Sequence, residues 1–281
     1  MDFTKEVNDI LKEPIDSKCK FENIVIKIIE KMERASKENK SGNFDTKTAD
    51  FFYRGDKAGK PLQPNLFIND ACLKAEGQKF RKKYEMNHQI INGEKESELH
   101  FLCRLQHYGG CTRLLDFSTD PLVALRFACG RNGENGDKRV TMIYTDHKIE
   151  KNAEENNIKT LMKMIRSDNL KNFTSEEKEQ LRRDYFIVLP DFLDDIERCR
   201  QQSGAFLLPG NFRCINPSVC PNEKVIHKLS KKIGRGNEYR GFIVNIEIKS
   251  EFVEKIRNEL EDTKKYSINY LMGSKDVSGC E

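Results

Sequence analysis

Strands mixed with irregularly placed helices predict an α+β fold. Three observations carry the prediction. Apolar segments of strand length lie at 50–55, 112–117, 140–144, 186–190, 205–208 and 242–248. Amphipathic helical spacing appears at 20–35, 97–108 and 252–260. The two kinds of element do not alternate as a doubly wound sheet requires. Neither Gly-x-Gly-x-x-Gly nor Gly-x-x-x-x-Gly-Lys occurs, which argues against dinucleotide-fold dehydrogenases and phosphate-loop nucleotidases.

Taken in chain order, Phe21, Ile24, Val25, Ile28, Ile29 and Met32 recur at helical spacing and predict the first amphipathic helix. The polar residues from Ser36 to Lys47 read as a loop. Asp50-Phe51-Phe52-Tyr53-Arg54-Gly55 reads as a buried strand stopped by glycine. A turn-rich loop follows from Gly59 to Pro64, then a helix from Ile68 to Tyr84. Ser97 is placed to cap a helix that carries Leu99, Leu102, Leu105 and Tyr108, with Gly109 and Gly110 as its stop. Thr112 to Phe117 suits a short strand. Ser118, Thr119 and Asp120 offer caps, and Pro121 fits the first turn of a helix that Gly130 ends. Residues 146–184 form a charged helical excursion, with a helix start at Ser175.

The 281 residues are 37% hydrophobic and 33% charged. With 49 basic against 45 acidic residues, the net charge of +4 is too small to imply nucleic-acid binding by itself. No apolar run approaches the roughly 18 residues of a membrane span, and the acidic N-terminus lacks a signal core. Nine cysteines at irregular spacing, without Cys-x-x-Cys, read as free thiols of a reducing cytoplasm; no metal site is expected. The organisation expected is an N-terminal helical extension over 1–47 and a domain over 48–281.

Several polar residues stand where chemistry is possible. Arg54, at the end of an apolar strand, can fork onto a phosphate or carboxylate while Gly55 lets a ligand approach the backbone. Arg54 can equally pair with a carboxylate such as Asp116. Ser118 and Thr119 precede a helix start, whose free amides bind anions or are simply capped. His107 and Tyr108 can stack on a ring or belong to the core. Arg113 and Asp116, three apart on a strand, face opposite sides and need separate partners. Gln202 precedes a glycine and an apolar strand. Its carboxamide both donates and accepts, but it has no pKa for general-base work.

Together these pieces resemble the FRG domain family. Its Phe-Arg-Gly box reads here Phe52-Tyr53-Arg54-Gly55. Its long central motif is matched by Gln106-His107-Tyr108-Gly109, Thr112-Arg113-Leu114-Leu115-Asp116 and Pro121 to Ala128, and its Gln-x-Gly-x-Phe box by Gln202 to Phe206. Phe117 stands where a tryptophan is usual, and the motif around Met272 to Asp276 is degraded.

The layout is similar to that of ADP-ribosyltransferases, and the similarity implies a split, strongly bent sheet with flanking helices around an NAD-sized cleft. It implies a catalytic set of Arg54, Ser118 and Gln202. Tyr53, Gly55, His107, Tyr108, Arg113, Asp116 and Thr119 would line the site, with NAD as the substrate. Arg54 would hold the diphosphate, Ser118 would orient the ribose and brace Arg54, and His107 or Tyr108 would stack on nicotinamide. Gln202 stands where a carboxylate usually stabilises the oxocarbenium-like sugar. It keeps the grip without the charge, so Asp116 or Glu223 would have to supply it. The implied setting is a bacterial toxin or antiphage effector that modifies nucleic acid or protein, with an antitoxin or defence partner. The basic clusters Lys228, Lys231, Lys232, Arg235 and Arg182-Arg183 would suit a phosphate backbone. The alternative is a nucleotide- or nucleic-acid-binding module without turnover in a defence assembly.

Overall fold

The computed structural model describes residues 3–38, 50–60, 62–68, 75–131, 133–145, 156–167, 173–180, 186–189, 196–208 and 241–272. Expectations for 39–47, 182–183, 223, 228–235 and 273–276 lie outside the described residues.

Among them, two helices come first, α1 (Phe3–Ile10) and α2 (Lys18–Glu38), then β1 (Asp50–Lys57). A short 3-10 turn (Asn65–Ile68), α3 (Glu76–Asn87), the small hairpin β2 (Ile90–Ile91) and β3 (Glu94–Lys95), and α4 (Glu98–His107) follow. Next come β4 (Leu115–Ser118), α5 (Pro121–Cys129), β5 (Lys138–Thr145), α6 (Asn156–Arg166), α7 (Ser175–Gln180) and β6 (Phe186–Val188). The chain continues through α8 (Glu197–Gln201), β7 (Gly204–Leu208), β8 (Gly241–Ile248), α9 (Ser250–Glu261), a second 3-10 turn (Lys264–Tyr266) and α10 (Ile268–Met272). This is an α+β fold.

The main sheet runs β6-β7-β4-β1-β5-β8, and all its pairings are antiparallel. It is unevenly joined. β1 pairs with β5 along its whole length, from Asp50 opposite Thr145 to Lys57 opposite Lys138. With β4 it shares one register pair, Tyr53 opposite Ser118. The sheet is therefore two three-stranded halves that meet at a single point and then diverge.

Side chains alternate across a strand, and the sheet packs accordingly. Behind the β1-β5-β8 half, Tyr53, Val140, Met142, Tyr144, Val244, Ile246 and Ile248 form one core with α1, α2, α5 and α9. Helix α2 contributes Phe21, Ile24, Val25, Ile28 and Met32, the stripe its periodicity predicts, and Ser17 Oγ accepts from the Lys20 amide (3.1 Å) at its start. Behind the β4-β7-β6 half, Phe206 and Leu208 pack with Phe80, Leu99, Leu102, Leu105, Leu161 and Ile165. On the reverse face, Phe52, Leu115, Phe117, Ile143, Ala205 and Leu207 form a third, smaller core beneath Leu62.

Local signals act as expected at the helix ends. Ser97 Oγ accepts from the His100 amide (3.2 Å), and Asp120 caps α5 by accepting from Leu122 N (2.9 Å), with Pro121 in the first turn. Gly109 (φ 83°) takes the left-handed conformation just past α4. One boundary shifts. Residues 112–114 are not strand: the Thr112 carbonyl accepts from Leu66 N (3.2 Å) and its Oγ1 accepts from Leu114 N (3.1 Å), so pairing begins only at Leu115. Of the helix expected over 68–84, the structure describes Glu76–Asn87, and 69–74 lie outside the described residues.

Candidate functional site

Strand β1 carries Arg54 on the same face as Phe52 and Asp56, away from the helices. The guanidinium sits where the two half-sheets part. Continued pairing would set Gly55 opposite Asp116; instead Arg54 Nη1 donates to the Asp116 carbonyl oxygen (2.7 Å). Arg54 Nε donates to Asp56 Oδ2 (2.7 Å). The carboxylate partner of Arg54 is thus Asp56, two residues along its own strand, and Asp116 supplies a backbone oxygen instead. A side chain thereby replaces strand pairing at the opening and satisfies the carbonyl left over.

Gly55 has a different role from the one its sequence suggests. An added Cβ would lie 1.9 Å from the Ala124 carbonyl oxygen and 2.4 Å from the Ala128 nitrogen. The backbone that comes close is that of α5, not of a ligand. Tyr53, on the same face, is buried in the helix-side core, and burial pushes its phenol above the ordinary range with the Asp120 charge adding to this.

Ser118 and Gln202 are brought together. Ser118 Oγ donates to the Gln202 carbonyl oxygen (2.7 Å) and accepts from Asp120 N (3.0 Å), so its contacts run to Gln202 and not to Arg54. The Gln202 side chain turns elsewhere: Nε2 donates to the Leu271 carbonyl (2.9 Å) on α10. Thr119 is exposed; its amide donates to the Ser203 carbonyl (2.9 Å) and its hydroxyl donates more loosely to the same oxygen (3.3 Å). The start of α5 is closed as an anion site, since Asp120 takes the Leu122 amide while Lys265 (2.7 Å) and Tyr266 (3.3 Å) hold its other oxygen.

His107 and Asp116 form a second group on the helix side. Gln106 Nε2 donates to Asp116 Oδ2 (2.9 Å), and Thr112 Oγ1 donates to Gln106 Oε1. His107 lies edge-on to Phe206 (centroids 5.4 Å apart, 74°), and Arg198 donates to its carbonyl. His107 Nε2 and Asp116 Oδ1 are shielded and have no hydrogen-bond partner among the described residues. Burial pushes the His107 imidazole below its ordinary range; the Asp116 charge opposes this and Arg198 adds to it. Tyr108, by contrast, is 39% exposed just beyond α4. Arg113 turns the other way, donating through Nε to Glu76 (2.7 Å), so Arg113 and Asp116 have separate partners, although Arg113 precedes the strand and strand alternation is not the reason. The thiols of Cys103, Cys129 and Cys199 are all pushed up by burial, Cys129 to about 11, which leaves them protonated and weakly nucleophilic at neutral pH.

The structure therefore sets these candidates in three places around β4. Arg54 stands on the open side of the divergence. His107, Asp116 and Gln106 stand behind it, and Ser118, Thr119 and Gln202 lie at the junction. β4 connects all three through its backbone. Asp56 was not singled out in the sequence, although its place two residues after Arg54 puts it on the same strand face.

Residues 49–137 match the family model of the FRG domain. This segment is an FRG domain; it holds β1 through α5 and ends just before β5. Gln202 and its glycine lie beyond the matched residues. No curated protein and no solved structure matches the chain. Among the described residues, no helix is long and apolar enough to cross a membrane.

Proposed function

We propose that the chain is an ADP-ribosyltransferase-like protein that takes NAD at the divergence of β1 and β4. The observation that carries this reading is Arg54: a guanidinium fixed by Asp56 and the Asp116 carbonyl at the point where a sheet splits into two halves. A pre-oriented fork there suits a diphosphate. Thr119, exposed at the junction, is the hydroxyl available to a ribose, and Tyr108 offers an exposed ring beyond α4. Loss of nicotinamide builds positive charge on the sugar, and a nearby carboxylate lowers that barrier. Gln202 carries no charge and the Asp116 carboxylate points to the helix side, so this reading assigns the role to Asp56, the carboxylate beside Arg54 on the open face. The acceptor is a protein or nucleic acid, and the setting is toxin or defence chemistry.

A second reading has one observation in its favour. The Gln202 carboxamide is already bonded to Leu271, which suits a site that holds a nucleotide without turning it over. Incubation with NAD labelled in the nicotinamide ring separates the two. The transferase reading predicts time-dependent nicotinamide release that Arg54→Ala abolishes. Saturable binding without release supports the binding module, and release at the same rate from wild type and Arg54→Ala contradicts the assignment of Arg54.

A further inference from the structure

The open face of β1 carries more than Arg54. Asp56 shares that face and lies directly opposite Arg139 of β5. Its carboxylate, 7% exposed, receives Arg54 on Oδ2 (2.7 Å) and lies 3.2 Å from Lys60 Nζ through Oδ1. Arg139 Nη2 donates to the Lys60 carbonyl (2.7 Å), which ties the segment after β1 back to β5. Arg139 Nε is shielded and has no hydrogen-bond partner among the described residues.

Two cations thus pair with one carboxylate, and a third, Arg139, stands opposite it on the neighbouring strand. Glu247, opposite Arg139 on β8, is largely exposed, and its own ion pair is with Lys249 (3.7 Å), which also holds Asp137 (3.0 Å). The group keeps an excess of positive charge that folding alone does not require, since like charges crowded together repel. An anion with two adjacent charges would relieve it. Arg54 and Arg139 both present planar forks, the shape that fits phosphate oxygens, while the half-exposed Lys60 is a mobile point charge.

We propose that Arg54 and Lys60, both paired with Asp56, and Arg139, bonded to the Lys60 carbonyl, form a subsite for two adjacent phosphates, so that the ligand is a diphosphate-bearing nucleotide and not a nucleoside. The proposal rests on Arg54 being a ligand-binding group, but it does not require turnover.

Calorimetric titration of the full chain with ADP-ribose, inorganic pyrophosphate and adenosine tests it. The wild type is expected to bind ADP-ribose at least about tenfold more tightly than adenosine, with affinity falling as salt rises. Pyrophosphate competing for the same site would show that the phosphates are recognised; pyrophosphate binding tighter than ADP-ribose would point to the free anion and overturn the nucleotide assignment. Lys60→Ala with Arg139→Ala should weaken ADP-ribose about tenfold or more and flatten the salt dependence. Lys60→Arg with Arg139→Lys should restore most of the affinity, and Lys60→Ala alone, at an exposed position, should show a smaller loss in the same direction. Lys12→Ala, at a remote exposed lysine, should change nothing. Unchanged ADP-ribose affinity in the double alanine variant, adenosine binding as tightly, or no binding of ADP-ribose by the wild type overturns the subsite. Absence of nicotinamide release alongside phosphate-dependent binding would sink only the transferase reading.

Discussion

Glu96 shows how one side chain can anchor a neighbourhood. It sits just before α4 with its carboxylate fully out of water. Arg104 donates to it twice, through Nε (2.9 Å) and Nη2 (2.7 Å), the Gln89 amide donates (2.9 Å), and His100 Nδ1 is in contact. Burial pushes the carboxyl up, but these bonds outweigh it and hold it down to about 2, from an ordinary 4.5. Because the folded pKa is depressed, the stabilisation is complete above pH 4.5 and is lost as pH falls towards 2. Acid unfolding followed by circular dichroism should therefore be steep for wild type between these values. Glu96→Gln should be less stable at neutral pH and show a shallower dependence in that window; equal slopes would show that Glu96 is not the group responsible. At this scale the sequence spoke unevenly. Arg54 stood out because a guanidinium ending an apolar strand needs a partner. That the partner is Asp56 depends on β1 and β4 parting after one residue pair, which no local pattern reveals. Glu96 was not singled out because its value arises from four contacts made by three residues, on α4 and on the chain before it.

The packing of β1 on α5 joins two sequence motifs in one physical contact. The glycine after Arg54 and the alanines of Leu122-Val123-Ala124-Leu125-Arg126-Phe127-Ala128 are small at facing positions, so strand and helix backbones meet. A methyl group at residue 55 would strike backbone atoms of α5 at both Ala124 and Ala128, and backbone cannot rotate away. Gly55→Ala should therefore destabilise by about 3 kcal/mol or more, the range of severe overpacking. A fall in Tm of roughly 10 °C in a thermal melt is the corresponding signal. A melt unchanged within a degree or two would mean that α5 can shift at little cost. Most elements were readable because their signals are local: the periodicity of α2, the caps Ser97 and Asp120, the stop at Gly109. The late start of β4 was not, because Thr112 commits its carbonyl and hydroxyl to Leu66, Gln106 and Leu114 through contacts made only in the fold.

Over the whole molecule, one sheet serves three cores. Helices cover the back of each half separately, and the third core lies across the front of both. α2 belongs to the same core as β1, β5 and β8, so the N-terminal helices are structural neighbours of the strand that carries Arg54. The α+β class was legible because strands and helices follow each other without a repeating unit. The near-separation of the halves was not: it is a matter of strand register, and register depends on pairing across more than sixty residues of chain. The same divergence leaves the Asp116 carbonyl without a strand partner on the β1 side, and Arg54 takes that place. Titration of NAD into the wild type and into Arg54→Ala combined with Asp56→Ala tests this most directly, since removing both members strands no buried charge. Saturable binding by the wild type, weakened about tenfold or more in a double variant that still melts cooperatively, is the predicted result. Equal affinity in the two proteins, or no uptake of NAD by the wild type, would contradict it.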